Sequence, residues 1–471
     1  MATATTTIQH PRASHNQRLA WGVVWLAFAL FCLLFAGSVI GVYFFLFDST
    51  VPMQATLNVS RGTAGVTGSD LLELVVRDQE WFVIPGNLIT IPADAQGLLF
   101  LQDVRTEQAF IAAVTLRSDT RAVISDAVRP RFDWSDQGYV AHLDQISGDF
   151  DILIPSGSTR SILLVMTTES GDAVYLTQSG RYAVSARRDT LEVVNLAGEA
   201  LLVDNDRVNT RAIPAGQRGI LFMQSNAIES RPGFIDLLAN NPSSSNRENS
   251  NPGTLTSPED WICFTTEQSQ SPSGTYSFET VEGRDTIHLL RGDNATTHWE
   301  TRCSQRLGPT TLGIDIGSYN YLGIRATFRI NTSSLAVCGT AATECPLMFN
   351  MQYLTASSSE VVAGTRDPSA FGSLINPDGE SALHNWYKGF FVVPAGQFAS
   401  PLRCPSCVQE HSFIRAGQWY TYDSGNLLAV QTPDQLPRYL LNFSFYASGH
   451  QYDVYVSDIM LLVGNIDVPQ G

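Results

Sequence analysis

The sharpest local chemistry in the sequence lies at Cys404-Pro-Ser-Cys407, which is followed by His411. Thiolate and imidazole groups are tetrahedral zinc ligands, and Cys338 with Cys345, or His411, would complete a set of four. A redox Cys-x-x-Cys motif is a second interpretation, but it requires a low-pKa cysteine at a helix start, and no helical pattern follows. A Cys404–Cys407 disulfide that staples a loop is the third interpretation and the one we predict, with Zn²⁺ as the alternative.

Sequence signatures of the common enzyme classes are absent. There is no Gly-x-Ser-x-Gly, His-Glu-x-x-His, Gly-x-Gly-x-x-Gly or kinase signature. The histidines after the first fifty residues are scattered, with no i, i+4 pair: His142, His288, His298, His384, His411 and His450. A glycosidase needs only two carboxylates that meet in space, so a glycan-active enzyme remains an alternative. The expectation is a protein that is not an enzyme.

Charge and composition exclude further classes. The 471 residues include 29 Lys+Arg against 45 Asp+Glu, for a formal net charge of −16. Lys388 is the one lysine, and its Gly-Phe continuation cannot form a P-loop. Strong acidity disfavours sequence-independent nucleic-acid binding, which needs clustered basic residues, so we expect no nucleic-acid partner.

A membrane segment dominates the start of the chain. Residues 19–47 contain no charge and exceed the roughly 20 residues that cross a bilayer core. The apolar region of a cleaved signal is about half that length and is followed by a small-residue cleavage site, which is missing here. We therefore predict an uncleaved transmembrane helix over 19–47, with the lipid bilayer as its partner.

Flanking charges predict the orientation. Residues 1–18 carry Arg12 and Arg18 but no acid, whereas Asp48 opens the other side. The positive-inside rule makes 1–18 a cytoplasmic arm of a single-pass membrane protein and places the bulk of the chain outside the cytoplasm. Gly37 and Gly41 form a small-xxx-small pair through which two helices could pack as a homodimer.

Composition divides the exterior part. Residues 240–259 are rich in Pro, Ser and Asn and predict a disordered linker between domains at 52–239 and 260–466. The first domain reads as short β-branched strands with turns about every 8–12 residues, and 233–238 as a short closing helix. The second is also β-rich and holds six cysteines, for which sequence proximity favours three disulfides: Cys263–Cys303, Cys338–Cys345 and Cys404–Cys407.

The first domain resembles the FecR family. The segments that carry the resemblance begin at Gly171-Asp-Ala-Val-Tyr and Leu191-Glu-Val-Val-Asn, and they end at Pro214-Ala-Gly-Gln217. FecR relatives are membrane-anchored regulators that pass an envelope signal to a sigma factor. The resemblance therefore implies an all-β domain and an alternative role in envelope signalling. Because 1–18 is too short to fold into a sigma-binding domain, such a role would require a partner protein.

The second domain resembles galactose-binding-like jelly rolls. Thr311-Leu-Gly-Ile-Asp-Ile-Gly, the strand that begins at Tyr321 and the paired strands from Tyr439 onward carry the resemblance. In the last strand Val454, Val456, Ile459 and Leu461 predict one buried face, with a one-residue slip near Ser457. The predicted fold is therefore all-β with one N-terminal transmembrane helix: a FecR-like domain followed by a β-sandwich.

The jelly-roll resemblance also implies sites. Such sugar binders stack exposed aromatic rings on sugars, for which the sequence offers Trp299, Trp386, Tyr387, Trp419 and Tyr420. Trp386-Tyr387 lies between His384-Asn385 and Lys388-Gly389, and we expect this pair to be exposed. Asp458 resembles a position that some relatives use for a structural Ca²⁺, and Glu279 could join it as an oxygen ligand.

Together these features predict an extracytoplasmic binding or scaffold protein on a membrane anchor. Its partner would be a glycan, a cell-wall polymer or an envelope protein. No other cofactor is expected.

Overall fold

The structure is a computed structural model. It describes residues 15–68, 72–77, 80–105, 109–155, 160–238, 261–265, 272–282, 284–292, 295–308, 312–334, 338, 345–362, 372–374, 381–393 and 411–466. The predicted linker 240–259 and the Cys404–Cys407 pair lie outside these residues.

The chain begins with one long apolar helix. Helix α1 (His15–Tyr43) continues into a π-helical turn (Phe44–Asp48), and the apolar stretch Leu19–Asp48 is long and apolar enough to span a membrane. Because an α-helix rises 1.5 Å per residue, α1 alone is about 44 Å long. Its apolar side chains are exposed throughout, as in a helix that packs on no other part of its own domain.

The first domain consists of strands β1–β18. Their bounds are β1 Thr50–Pro52, β2 Gln54–Arg61, β3 Ala64–Thr67, β4 Glu73–Val76, β5 Glu80–Val83, β6 Leu88–Ile91, β7 Gln96–Asp103, β8 Ala109–Leu116, β9 Thr120–Pro130, β10 Tyr139–Ile154, β11 Ile162–Thr167, β12 Ala173–Leu176, β13 Gly180–Ala186, β14 Thr190–Ala197, β15 Glu199–Val203, β16 Thr210–Pro214, β17 Gln217–Phe222 and β18 Ala227–Pro232.

Two sheets share strand β10. Sheet A runs β4-β3-β6-β9-β10-β11-β12-β15-β16, with β1 also on β9, and sheet B runs β5-β2-β7-β8-β10-β13-β14-β17-β18. Strand β10 passes from A to B near Gln145 and Gly148, which have φ values of 52° and 102°. Alternating apolar side chains of both sheets, such as Leu57 and Leu164, form one core. The all-β prediction is confirmed.

The second domain consists of strands β19–β31 with two short helices. Their bounds are β19 Ile235–Asp236, β20 Ile262–Thr265, β21 Thr275–Val281, β22 Arg284–Arg291, β23 Trp299–Arg306, β24 Ile314–Asp315, β25 Tyr321–Ser333, β26 Leu347–Leu354, α2 Ala356–Val362, β27 His384–Phe391, β28 Ser412–Phe413, β29 Trp419–Asp423, α3 Leu427–Val430, β30 Tyr439–Gly449 and β31 Tyr452–Gly464, with a 3₁₀ turn at Pro433–Gln435.

These strands form a sandwich. Sheet C has the order β21-β22-β31-β25-β29 and sheet D the order β20-β23-β30-β26-β27-β28, with β24 also on β30. The inner faces of both sheets pack into one core, in which Val454, Val456, Ile459 and Leu461 are fully buried. The register of β25 and β31 shifts at Ser457, which confirms the predicted slip.

The chain crosses between domains differently from the prediction. Ile235 and Asp236 form strand β19 on Val463 and Leu462 of β31, and Leu238 lies in the core of the sandwich. The prediction of a closing helix over 233–238 is therefore wrong. These residues pair with an open backbone edge of β31, although the two segments lie far apart in the sequence.

Two predicted disulfides are confirmed, Cys263–Cys303 and Cys338–Cys345. The lysine, Lys388, faces the core of the sandwich. Its Nζ lies 5.7 and 5.8 Å from the ring centres of Phe390 and Tyr422, and the residue is 6% exposed.

Candidate functional site

Strand alternation gives sheet D two different faces. Cys303, Phe349, Trp386 and Phe443 point into the core of the sandwich. Their sequence neighbours must therefore point outward, because successive side chains of a strand lie on opposite faces. We call this outward surface the amide face; it comprises Arg302, Ser304, Arg306, Asn350, Gln352, Asn385, Tyr387, Asn442, Ser444 and Tyr446, of which Asn350, Ser444 and Tyr446 are buried at 2%, 0% and 5% exposure.

Cross-strand register aligns the polar side chains of the amide face in rows. One row joins Ser304, Ser444, Asn350 and Tyr387 on β23, β30, β26 and β27. The next row joins Arg306, Asn442, Gln352 and Asn385 on the same strands. Directly opposed residues have Cβ atoms about 5 Å apart, a spacing that lets neighbouring groups contact one ligand together.

The hydrogen bonds within the amide face are long. Asn350 Nδ2 donates to Asn385 Oδ1 at 3.3 Å, and Asn442 Nδ2 donates to Gln352 Oε1 at 3.4 Å. Ser444 Oγ donates to Asn350 Oδ1 at 3.5 Å. Gln352, Asn385 and Asn442 are half-buried, and because each amide has two N–H donors and two acceptor lone pairs, ligand hydroxyls can replace their weak contacts at little cost.

An apolar margin borders the amide face. The Cys338–Cys345 disulfide packs there with Met348, Phe391 and Tyr446, and Tyr387 lies against the same cluster. Burial raises the pKa of Tyr387 and of Tyr446, so both phenols stay neutral at physiological pH.

One charged pair lies at the other side of this margin. The Arg302 guanidinium covers the Tyr446 ring at 4.3 Å, and Arg302 Nε donates to Glu300 Oε1 at 2.8 Å. Glu300 is therefore neutralised, and the surface beside it presents mainly neutral hydrogen-bonding groups. Tyr387, half-buried, is the ring of this face that a ligand can reach.

Of the aromatic candidates, Tyr387 is half-buried and the other four are buried, and a ligand-binding role for Tyr387 stays a prediction. Trp386 is fully buried, so the expectation of an exposed Trp386-Tyr387 pair is wrong: adjacent strand residues face opposite ways. Trp299, Trp419 and Tyr420 are also buried, at 3%, 1% and 9% exposure. These three rings are packing residues here and cannot stack on a sugar from solution.

The proposed Ca²⁺ ligands have separate partners. Glu279 Oε1 contacts His288 Nδ1 at 3.0 Å, whereas Asp458 Oδ1 accepts from Arg181 Nη2 at 2.8 Å, with Arg284 at 3.8 Å. Two arginines beside Asp458 satisfy its charge and repel a cation. The structure does not bring the two carboxylates together as a calcium site.

His288 instead joins Glu279 to Asp453, whose Oδ1 lies 2.8 Å from Nε2. Burial lowers the pKa of His288, but hydrogen bonds to Asp453 and Glu279 raise it more, and the net shift is upward. The pKa of each carboxyl is lowered, for Glu279 mainly by the Ser277 hydroxyl and for Asp453 by His288 against its own burial. A glycosidase acid needs a raised pKa, so this pair does not fit that chemistry.

The outer face of sheet C is covered by the first domain. The Asp423 carboxylate forms ion pairs with Arg117 Nη2 at 2.6 Å and with Arg325 Nη2 at 3.0 Å. Arg325 Nη1 forms a further ion pair with Asp151 at 2.9 Å. The side-chain amide of Gln96 caps the edge strand β29: its Nε2 donates to the Thr421 carbonyl at 2.8 Å. Edge strands left open are prone to unwanted pairing, which this cap prevents.

Arg284 lies at the centre of that contact. Its guanidinium lies 5.3 and 4.9 Å from the Phe100 and Phe110 rings of the first domain and 5.3 Å from Trp419 of the second. Burial lowers its pKa to about 10, so it stays charged at neutral pH. Clefts of about 40 and 150 Å³ remain between the domains, room for water molecules but not for an oligosaccharide.

The remaining candidate residues fall elsewhere. Cys338, Cys345 and His411 have ligand atoms within 4.8 Å of one another, but the two sulfurs are joined in the disulfide and are not thiolates. Cys404 and Cys407, which the zinc alternative also needs, lie outside the described residues. Gly37 and Gly41 lie one helical turn apart on α1, and a Cβ at either would meet nothing in the chain. The homodimer stays a prediction.

Comparisons with known proteins give distant likenesses only. No family model and no curated protein matches the chain. A solved structure described as an anti-sigma factor of Parabacteroides distasonis matches at 11% identity and a TM-score of 0.22, over 31% of this chain and 59% of that one. A family 11 carbohydrate-binding module of Clostridium thermocellum, solved with a β-1,3-1,4-mixed-linked tetrasaccharide, matches at 11% identity and a TM-score of 0.22, over 45% of this chain and 94% of that one. Similarities this low assign neither a family nor a function.

Proposed function

We propose that this protein binds a neutral glycan on the amide face and presents that face outside the cytoplasm from a membrane anchor. The observation that carries the proposal is the half-buried amide row of Asn442, Gln352 and Asn385, which lies beside Tyr387. Sugar hydroxyls pair with amides as both donors and acceptors, and a sugar's CH groups pack on an aromatic ring.

The charges of the face favour a neutral glycan over an anionic one. Arg302, on the margin, is paired with Glu300 at 2.8 Å and is not available to an acidic polymer, which leaves Arg306 as the exposed cation of the aligned rows. The polarity of the face also favours a carbohydrate ligand over a protein ligand. The amide face presents rows of small polar groups, whereas a stable protein interface usually has an exposed apolar patch at its centre.

The anchor is the second part of the proposal. Helix α1 would cross the bilayer with Arg12 and Arg18 on the cytoplasmic side, and both β domains would follow on the other side. Protease or membrane-impermeant labelling of intact cells, with reaction at exterior residues and none at residues 1–18, would support this topology; the reverse pattern would refute it.

A glycan array with the full chain in detergent tests the ligand. We expect binding to neutral polysaccharides and a loss of about tenfold or more in affinity for Tyr387→Ala, which is ~1.4 kcal/mol. Tyr455→Ala is the matched control, since Tyr455 is a half-buried tyrosine on the outer face of the other sheet. Absence of binding to any polysaccharide, or equal loss in both variants, would contradict the proposal.

A further inference from the structure

The membrane helix joins the first domain without a flexible linker. The π-helical turn ends at Asp48, and strand β1 begins at Thr50, so Ser49 alone separates them. Strand β1 then pairs with the end of β9, with Thr50 opposite Pro130. The first domain is therefore held directly against the end of the helix.

The loop 131–137, which follows β9, binds the last turn of the helix. The Trp134 indole Nε1 donates to the Leu46 carbonyl at 3.2 Å, and the Ser135 hydroxyl donates to the Phe47 carbonyl at 2.5 Å. Gln137 Nε2 donates to Asp48 Oδ1 at 3.1 Å. The last carbonyls of a helix lack partners within the helix, so these donors cap its end.

Three aromatic rings form a continuous surface at this junction, with Phe45 and Trp134 exposed and Phe132 half-buried between them; we call Phe45, Phe132 and Trp134 the aromatic collar. Phe45 contacts Phe132 edge-on at 5.6 Å, and Phe132 stacks on Trp134 at 4.7 Å. Phe45 is 53% exposed and Trp134 is 58% exposed. Exposed rings of this size, joined to one another, usually mark an interaction surface.

Depth along the helix identifies the partner. The apolar run ends at Phe47, and Asp48 is the first charge after it, so Leu46 and Phe47 would lie at the boundary of the hydrocarbon region. Trp134 is bonded to that turn and must lie at the same depth. We propose that the aromatic collar binds the bilayer interface, with Trp134 at the level of the phospholipid headgroups, and so fixes how the first domain stands on the membrane.

The charges around the aromatic collar are balanced, which favours the membrane interface in general over a site for anionic lipids. The charged residues around the collar are three arginines and three aspartates: Arg105, Arg131, Arg160, Asp48, Asp133 and Asp136. Arg105 is paired with Asp133 at 3.2 Å, and Arg160 Nη1 donates to the Gln137 carbonyl at 3.0 Å. Binding therefore depends on ring burial and should not rise with the anionic fraction of the membrane.

This inference rests on the proposed membrane anchor, and the experiment separates the two. The full chain is labelled with 5-fluorotryptophan and placed in phosphatidylcholine nanodiscs whose lipids carry a nitroxide either at the headgroup or near the chain end. Fluorine spectra then report the broadening of each tryptophan, with Trp134 assigned through Trp134→Phe. Trp25, in the helix, reports the anchor, and the buried Trp386 and Trp419 serve as references.

We expect the headgroup nitroxide to remove most of the Trp134 signal, the chain-end nitroxide to remove less, and Trp386 and Trp419 to be unaffected. Broadening of Trp25 with Trp134 as sharp as Trp386 would overturn the collar and leave the anchor standing. If neither Trp25 nor Trp134 broadens, both proposals fail. Broadening of Trp134 that appears only after phosphatidylglycerol is added would replace the interface with an anionic-lipid site and overturn the proposal as stated.

Discussion

The two outer faces of the sandwich carry different kinds of polar side chain. The face of sheet C presents charged groups such as Arg325, Asp423 and Asp458, each paired across the contact with the first domain. The face of sheet D presents amides and hydroxyls with long mutual hydrogen bonds. Charges buried without water need fixed partners, whereas neutral groups can exchange one weak partner for another. One face therefore suits a permanent domain contact and the other a reversible ligand.

The largest expected effect comes from breaking the covered face. Asp423→Ala removes the carboxylate shared by Arg117 and Arg325, and the pKa of Asp423, held low by these arginines against burial, shows how strongly the charge is favoured. We expect a loss of about 3 kcal/mol in the free energy of unfolding, since the two arginines are then left to share Asp151 as their carboxylate partner within the domain contact. Denaturant unfolding of the full chain in detergent measures it.

Glu229→Ala is the matched control for that variant. Glu229 pairs with Arg231 at 2.7 Å, but both side chains are more than 40% exposed. Such pairs contribute about 0–1 kcal/mol, so this variant should unfold almost like the wild type. Equal losses in the two variants would mean that the covered face gains nothing from its pairing.

Asp236 tests the opposite situation to that of Asp423. It is a carboxyl on the covered side of the sandwich, but it has no close cation. Burial raises its pKa to about 6, although the Leu238 and Leu461 N–H groups donate to it. Because the folded state holds the proton more tightly, stability is highest when Asp236 is protonated and falls as pH rises from about 4 to about 6. Asp236→Asn keeps the acceptor and removes the charge.

We therefore expect Asp236→Asn to be more stable than the wild type at pH 7.5, by up to about 3 kcal/mol, and nearly equal to it at pH 4. Unfolding curves of both proteins across this pH range give the comparison. A variant that is destabilised at pH 7.5 would show that the ionised carboxylate has a partner worth more than its burial costs.

The amide face should respond in binding and not in stability. Gln352→Ala removes a half-buried amide whose Oε1 accepts from Asn442 Nδ2 at a long 3.4 Å. We expect about a fivefold to tenfold loss of glycan affinity, the size of one or two neutral hydrogen bonds, with little change in unfolding. Asp423→Asn, measured in the same assay, should leave glycan affinity unchanged, which tests whether the two faces act separately.

The smallest effect is expected at the end of sheet C that carries His288. Asp453→Asn removes one of its two carboxylate partners, so the pKa of His288 should fall, by about one unit for a neighbouring charge. With a raised pKa in the folded state, the stabilisation from His288 is complete below its unfolded value and is lost as pH rises through the folded value. A titration of the His288 ring by NMR checks both statements.

Patterns within single strands made much of the fold predictable. Alternation in β31 identified its buried residues and the slip at Ser457, and short spacing identified Cys338–Cys345 and, at longer range, Cys263–Cys303. The strand Ile235–Asp236 was missed because its partner is more than 220 residues away. The same reason hid the Arg117–Asp423 pair, since no local pattern records it.

The candidate site shows where local reasoning misleads. Trp386 was expected to be exposed because Lys388 follows it, yet Lys388 shares its inward face and is buried as well. A usable signal existed in the neighbouring strands. Asn350 and Gln352 alternate with large apolar residues on β26, and Asn442 and Ser444 do so on β30. Polar residues at every second position of two apolar strands predict one polar face.

Because of the position of Lys388, the folded domains should react very little with amine-directed reagents. Lys388 carries the chain's one side-chain amine, and that amine lies beside two aromatic rings inside the sandwich. Acylating reagents and amine cross-linkers should therefore leave the surfaces of both folded domains unmarked. Acylation of Lys388 would begin only when the sandwich opens, so its rate against denaturant would report the opening of one domain, at a single atom, within the intact protein.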